Sequence, residues 1–143
     1  MKSIYIVDTN VVVAGLIAAQ SDSPVVRILD GMLGAAFPFV LSPPLLAEYR
    51  AVLLRPKLLK LHGLGVEQID SVLIELALHG TVLSSSTKPS PNSAPDPGDQ
   101  FLWDLLAQRP DLLLVTGDKR LLQDAAMGGR IISPLEMATR LQH

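Results

Sequence analysis

The sequence predicts an α/β fold in which a parallel β-sheet is covered by helices on both faces. Short, continuously apolar runs alternate along the chain with longer stretches of helical periodicity, which is typical of strands buried on both faces. Several of the helical stretches begin with serine followed by proline, a signal for a helix start. The predicted strands are residues 4–7, 39–41, 81–83, 112–116 and 131–132.

The predicted helices fill the intervals between these strands. Three of them are expected to begin at Pro24, Pro43 and Pro134, each after a capping serine. The helix from Pro43 should end near Arg55, because a following proline cannot continue it. A further helix is expected over residues 66–78, before Gly80.

Length and composition indicate a single domain, residues 1–143. The chain has 48% hydrophobic residues, enough for a sizeable core. An irregular loop is expected at about residues 84–98, a stretch rich in Ser, Pro, Asn and Gly. A linker between two domains is the alternative, but the remaining residues are too few to bury a core of their own.

Composition also excludes several classes of function. The net charge of −2 gives no general attraction to nucleic acid or to acidic membranes. Without cysteine there are no disulfides, thiolate nucleophiles or sulfur-based zinc sites, and the three histidines lack ligand spacing. We expect no membrane span, because no apolar run approaches about 18 residues. With no recognisable signal peptide, a cytoplasmic location is expected.

Two acids, Asp8 and Asp118, each follow a predicted strand. Ligands of open parallel sheets bind outside the carboxyl ends of the strands, so both acids would share one edge if their strands are neighbours. For Asp8 a functional role is favoured, because Asn10 is expected to cap the next helix. Asp118 could equally serve as the cap of a helix through residues 121–125.

Two further acids are predicted to lie on helices. Glu48 falls just beyond the edge of the apolar face of its helix, where a solvated surface position is the default. Asp99 falls in the first turn of a helix that Asp96 would cap, where an acid favours the helix dipole. That position also holds a carboxylate at the edge of the sheet. On the same helix, Trp103 is expected to pack in the core rather than to stack on a base.

If these four acids converge, they raise one another's pKa and destabilise the fold unless a cation neutralises them. Oxygen ligands without His or Cys select Mg²⁺ or Mn²⁺. Such an ion activates bound water and stabilises the charge that develops on a phosphodiester. Convergence of the acids would therefore indicate metal-dependent hydrolysis.

The same residues carry a resemblance to a known family. Asp-Thr-Asn at residues 8–10 ends the first strand, and LLAEYRAVL bears Glu48. Further on, DQFLWDLLA opens with Asp99, and VTGDKRLL bears Thr116 and Asp118. In this order the motifs resemble the PIN-domain nucleases over nearly the whole chain, and among them the VapC-like toxins of bacterial toxin–antitoxin pairs. The resemblance implies a three-layer α/β/α sandwich with a central parallel sheet.

The resemblance also implies an activity and partners. The chain would be a metal-dependent endoribonuclease that hydrolyses phosphodiester bonds of single-stranded or structured RNA. Its four acids, Asp8, Glu48, Asp99 and Asp118, would hold Mg²⁺ or Mn²⁺, while Asn10 and Thr116 would orient ligands or water. A toxin of this kind implies an antitoxin protein and a homodimer.

Two alternatives stay open. A phosphatase similar to the haloacid dehalogenases would use Asp8 as its nucleophile. It is disfavoured because those enzymes usually carry a second acid where this chain has Asn10. The other alternative is a non-catalytic module that keeps the fold in order to bind a protein.

Two positions depart from the family's pattern. Many relatives carry acids where this chain has Gly98 and Arg120, so one metal ion and two are both open. Arg50, Lys119 and Arg120 are the candidates for contact with RNA or a protein partner, because basic side chains bind phosphate. For each of them a solvated surface position is the alternative.

Overall fold

A computed structural model describes residues 3–18, 20, 22–84, 90–125 and 127–141. Within these residues the strands are β1 (Ile4–Val7), β2 (Val40–Leu41), β3 (Thr81–Val82), β4 (Leu112–Val115) and β5 (Ile131–Ile132). The helices are α1 (Thr9–Ile17), α2 (Pro24–Leu33), α3 (Pro43–Leu53), α4 (Pro56–His62), α5 (Val66–His79), α6 (Gln100–Leu106), α7 (Lys119–Leu122) and α8 (Pro134–Leu141). A short 3₁₀ turn, Pro97–Asp99, leads directly into α6.

The strands are parallel and form a three-stranded sheet and a two-stranded sheet that lie side by side. β1 pairs with β4, placing Val7 opposite Val115, and β4 pairs with β5 on its other side. β2 pairs with β3, and a parallel bridge between Tyr5 and Phe39 joins this pair to β1. The order is therefore β3-β2-β1-β4-β5, and it reverses between β1 and β4. In sheets of this kind the crevice at the reversal point is where ligands bind.

The strands are buried on both faces. Tyr5, Ile6 and Val7 are all buried, and successive side chains of a strand point to opposite faces of a sheet. Helices therefore cover both faces, and the predicted α/β fold with a central parallel sheet is confirmed. In the described part of the chain, no helix is long and apolar enough to cross a membrane.

The predicted helix starts at serine-proline pairs are confirmed. The Ser23 and Ser42 hydroxyl oxygens accept hydrogen bonds from backbone N–H groups three residues further on, at 3.4 and 3.3 Å. Helix α4 was not predicted, because Pro56 was expected only to end the preceding helix. Proline is also favoured in the first turn of a helix, where its missing N–H has no partner to lose. Helix α4 ends at His62, and its C-cap is Gly63, whose φ of +70° suits glycine.

Two predictions about helix ends are wrong. Asp8, not Asn10, caps α1, and its Oδ1 accepts a hydrogen bond from the Thr9 N–H at 2.8 Å. The helix expected to reach residue 125 ends at Leu122. It stops because Asp124 closes a separate turn by accepting a hydrogen bond from the Met127 N–H at 3.0 Å.

The predicted irregular loop, about residues 84–98, is described only in part, since residues 85–89 lie outside the described residues. Side chains of α6 hold its second half. The Asp104 carboxylate accepts a hydrogen bond from the Ser90 N–H, and the Gln100 side-chain oxygen accepts one from the Ala94 N–H, both at 2.8 Å. This part of the loop is therefore fastened to the helix that follows Asp99.

Candidate active site

Asp8 lies at the carboxyl end of β1, at the reversal point of the sheet. Its side chain is buried, with 5% of its surface exposed. Both carboxylate oxygens are hydrogen-bonded. Oδ1 accepts from the Thr9 N–H, and Oδ2 accepts from the Thr116 hydroxyl at 2.8 Å and from the Asn10 side-chain amide at 3.2 Å. The carboxylate is thus held in one orientation by three donors.

The environment of Asp8 opposes its ionisation. Burial raises its pKa to about 6, while the hydrogen bonds from Thr116 and Thr9 act in the opposite direction. The negative charges of Asp99 and Glu48 also contribute to the rise of this pKa. The effects of Asp99 and Glu48 on this pKa mean that the three acids lie close enough to repel one another.

Thr116 and Asn10 connect the ends of β1 and β4. The Thr116 hydroxyl donates to Asp8 and accepts from the Asn10 amide at 3.2 Å and from the Asp118 N–H at 3.1 Å. The Thr116 hydroxyl therefore uses its one hydrogen as a donor and both of its oxygen lone pairs as acceptors. The Asn10 oxygen accepts from the Gly117 N–H at 3.0 Å, which sets the orientation of its amide. Both supporting residues predicted from the sequence hold Asp8 in this arrangement.

Glu48 is placed beside Asp8 by contacts from two neighbouring residues. The Thr9 hydroxyl donates a hydrogen bond to Glu48 Oε2. The fully buried Tyr49 donates its hydroxyl hydrogen to the Val7 carbonyl oxygen, which fastens α3 to the end of β1. Glu48 is therefore partly buried and hydrogen-bonded, in contrast to the solvated position that was the default. Sequence reasoning missed Thr9 and Tyr49, although each adjoins a predicted site residue.

Asp99 and Asp118 are the other two acids that lie near Asp8 and Glu48. Asp99 lies in the 3₁₀ turn before α6, where burial is the main effect that raises its pKa, followed by the charges of Asp96, Glu48 and Asp118. The nearby guanidinium of Arg120 lowers it. Asp118 caps α7 by accepting a hydrogen bond from the Arg120 N–H at 2.9 Å, as the sequence analysis allowed.

The four acids share one cavity of about 670 Å³ at this edge of the sheet. The predicted acids that line it are Asp8, Glu48, Asp99 and Asp118, together with Asn10. Trp103 does not belong to it, because its side chain is fully buried in the core as expected. The structure therefore brings together carboxylates that lie far apart in the sequence.

The predicted basic contacts have different surroundings. The Arg120 guanidinium lies 3.8 Å from both the Asp96 and the Asp118 carboxylates, at the edge of the acid cluster. Arg50 points elsewhere and pairs with Asp70 of α5 at 2.8 Å. Lys119 is exposed at the start of α7. Another arginine, Arg55, lines the cavity itself.

The family model of the PIN domain matches residues 5–120, a span that contains all four acids. The chain belongs to the PIN-domain family. A crystal structure of PAE2754 from Pyrobaculum aerophilum has a similar fold, with a TM-score of 0.61 and 16% sequence identity over 98% of this chain and 90% of that chain. At this identity the likeness shows the fold alone. No curated protein matches the sequence.

PIN domains are typically metal-dependent nucleases and usually use divalent ions. The donors in this PIN domain are carboxylates, which suit a hard divalent cation, and their mutual repulsion leaves negative charge for such an ion to neutralise. Among the described residues, however, no group of three or more His, Asp or Glu side chains stands in positions that could hold a metal ion. The carboxylate donors are chemically suited to a divalent cation, but in this arrangement they do not surround a single coordination site.

Proposed function

We propose that this PIN domain is a metal-dependent endoribonuclease that hydrolyses phosphodiester bonds of RNA. The observation that carries the proposal is the convergence of four carboxylates from four separate segments on one cavity. Two of them, Asp8 and Asp99, have pKa values raised by burial and by the neighbouring acids. Such a cluster destabilises the folded chain unless a cation binds there.

The four acids would hold Mg²⁺ or Mn²⁺. When bound, the ion supplies activation of water and neutralisation of the phosphate charge. The chain itself supplies orientation. Thr116 and the backbone at Thr9 hold Asp8, the Thr9 hydroxyl holds Glu48, and Tyr49 fastens the helix that carries Glu48. A carboxylate held by its neighbours needs little rearrangement when substrate binds.

The proposal is tested by incubating the purified protein with a labelled single-stranded RNA and Mg²⁺ or Mn²⁺. Asp99→Asn should lower the cleavage rate by about a hundredfold, because loss of a metal ligand costs at least as much as loss of a group that supports one. Asp30→Asn is the matched control, since Asp30 is exposed on α2 and does not line the cavity. If Asp99→Asn cuts as fast as the parent, the assigned site is wrong or the activity is a contaminant.

The two alternative functions predict different results. A phosphatase of the haloacid dehalogenase type would form an acid-labile phosphoryl group on Asp8. Its second acid would have to be Asn10, whose amide donates to Asp8 and accepts from the Gly117 N–H. A binding module would show neither RNA cleavage nor Mn²⁺ binding by isothermal titration.

The toxin role, an antitoxin partner, a homodimer and a cytoplasmic location belong to the same proposal. Exposed apolar side chains on α4 and α5, including Leu61, Ile74 and Leu78, support contact with a protein partner. A small open reading frame beside the gene, whose product co-purifies with this chain and inhibits cleavage, would support the antitoxin. Light scattering would measure the oligomeric state. Without such a partner the nuclease proposal stands and the toxin role does not.

A further inference from the structure

The cavity continues past the acids as an apolar channel between helices. We name this part the apolar arm. It is lined by Val13, Ala14, Ile17, Val25 and Val52. Residues spaced by three, four and seven positions lie on one face of a helix, and the α1 residues of the arm follow Asn10 at this spacing. On α3, Val52 lies one turn beyond Glu48. The arm therefore begins at the acids and runs along both helices.

Arg55 lies at the far end of the arm. It lines the cavity and is exposed. In the described part of the chain its guanidinium has no hydrogen-bond or ion-pair partner, whereas Arg120 is paired with Asp96 and Asp118. Helix α3 continues for five residues from Glu48 to Leu53, roughly 8 Å along its axis, and Arg55 follows two residues later as the N-cap of α4. The cavity thus presents acids, then apolar side chains, then an unpaired cation.

We propose that the apolar arm and Arg55 form a nucleotide subsite, in which the arm takes the base next to the cleaved bond and Arg55 binds a neighbouring phosphate. This inference rests on the proposed nuclease function. A nucleic-acid strand alternates anionic phosphates with bases that have apolar faces, and the cavity matches that alternation when a cation occupies the acid end. Its volume of about 670 Å³ lies within the range of small-ligand sites.

The lining also determines how the base is selected. Beyond the acids and Asn10, the polar side chains that line the cavity are Thr9, Ser23 and Arg55. Thr9 donates its hydroxyl to Glu48, and the Ser23 oxygen already accepts from the Val26 N–H. Reading a base edge requires well-placed donors and acceptors. The subsite should therefore accept different bases by contact with their faces, with preferences set by size.

The test measures binding, separately from cleavage, in an Asp99→Asn background with Mg²⁺. The two fluorescent probes are a single-stranded octauridylate and an abasic ribose-phosphate chain of the same length. In the background protein the abasic chain should bind about tenfold more weakly, because it lacks the base. The isosteric change Val52→Thr should weaken octauridylate binding severalfold and leave binding of the abasic chain unchanged.

Arg55→Ala should weaken binding of both probes. It should also reduce the slope of log affinity against log salt concentration by about 0.7, the value for one phosphate contact on a single strand. Lys60→Ala is the control, because Lys60 is exposed on α4 and does not line the cavity. Circular dichroism melting establishes that each variant is folded, and a variant that is not folded is replaced by Ile17→Thr or Arg55→Gln.

Equal binding of the two probes, or unchanged binding by both folded variants, would overturn the subsite. If the parent still cleaves RNA, only the subsite fails. If the parent neither binds nor cleaves RNA, the proposed function fails with it. Loss of binding to a co-expressed protein, with RNA binding unchanged, would assign the arm to a protein partner and also overturn the inference.

Discussion

Asp8 and Asp118 follow neighbouring parallel strands, Asp8 directly after β1 and Asp118 three residues after the end of β4, and their environments differ. Each acid follows its strand and caps the next helix. Asp8 is 5% exposed and hydrogen-bonded by three donors. The Asp118 side chain is 28% exposed, with the Arg120 guanidinium 3.8 Å away. Burial raises the pKa of Asp8 to about 6.

The difference arises from what packs over each strand end. Helix α3 is hydrogen-bonded to the residues on either side of Asp8, through Tyr49 to Val7 and through Glu48 to Thr9, whereas Asp118 precedes the four-residue helix α7 and its side chain is 28% exposed. The same local pattern, a strand followed by an acid, therefore gives one acid whose ionisation costs stability and one that is solvated and has a basic neighbour. Four predictions test this contrast.

The largest expected difference is in catalysis. Asp8→Asn should lower kcat/KM for RNA by at least a hundredfold, and Asp118→Asn by about tenfold, the upper and lower ends of the range for groups around a metal. Asp8 should matter more because it is buried at the centre of the cluster, where solvent cannot replace it. Initial rates on one labelled RNA measure both losses. Equal losses would show that the two environments do not influence catalysis.

The next difference is in the pH dependence of stability. The raised pKa of Asp8 means that the folded chain keeps a proton between about pH 4 and 6 that the unfolded chain has released. Its contribution to the free energy of unfolding is present below pH 4 and lost as pH rises through 6. Between pH 3 and 7, the free energy of unfolding of Asp8→Asn should gain about 3 kcal/mol relative to the parent.

Urea titrations in EDTA at several pH values measure this change. A parallel pH dependence for the parent and Asp8→Asn would contradict the burial argument.

A smaller effect is expected at the residue that joins the two acids. Thr116→Val removes the hydroxyl that donates to Asp8 and accepts from Asn10 and Asp118. The folded state should lose about 1–3 kcal/mol, because buried partners are left without a hydrogen bond. The pKa of Asp8, followed by carboxyl NMR, should rise further. Thr116→Ser keeps the hydroxyl and should restore both values.

The smallest effect concerns the basic neighbour of Asp118. Arg120→Ala should tighten Mn²⁺ binding several-fold in isothermal titration, because a positive charge near the acids is removed. Stability should change by less than about 0.5 kcal/mol, since both ion pairs of Arg120 are at the surface. Arg50→Ala is the control, because Arg50 pairs with Asp70 outside the cavity. Weaker Mn²⁺ binding by Arg120→Ala would contradict this account.

Local patterns sufficed for much of the fold. The apolar runs became strands close to their predicted bounds, and the serine-proline pairs began helices, because both signals act within a few residues. Where one residue had two possible roles, local reasoning failed. Pro56 ended one helix and also began α4, and Asp8 rather than Asn10 capped α1. Asp8 and Asn10, two residues apart, offer similar caps, and only the direction in which the chain leaves the strand selects one.

For the site, the rule that strand ends lie at one edge of a parallel sheet predicted that Asp8 and Asp118 would lie together, and both line one cavity. Glu48 and Asp99 were joined to them by the resemblance to the PIN domains. The order of the acids along the chain did not show in which direction each side chain points. The contacts of Tyr49 with Val7 and of Thr9 with Glu48 join segments about 40 residues apart, and they place an acid that its helix alone would leave in solvent. Likewise, the packing of α3 against α5 places Arg50 beside Asp70, and the extended backbone of Arg55, between α3 and α4, places its side chain at the cavity.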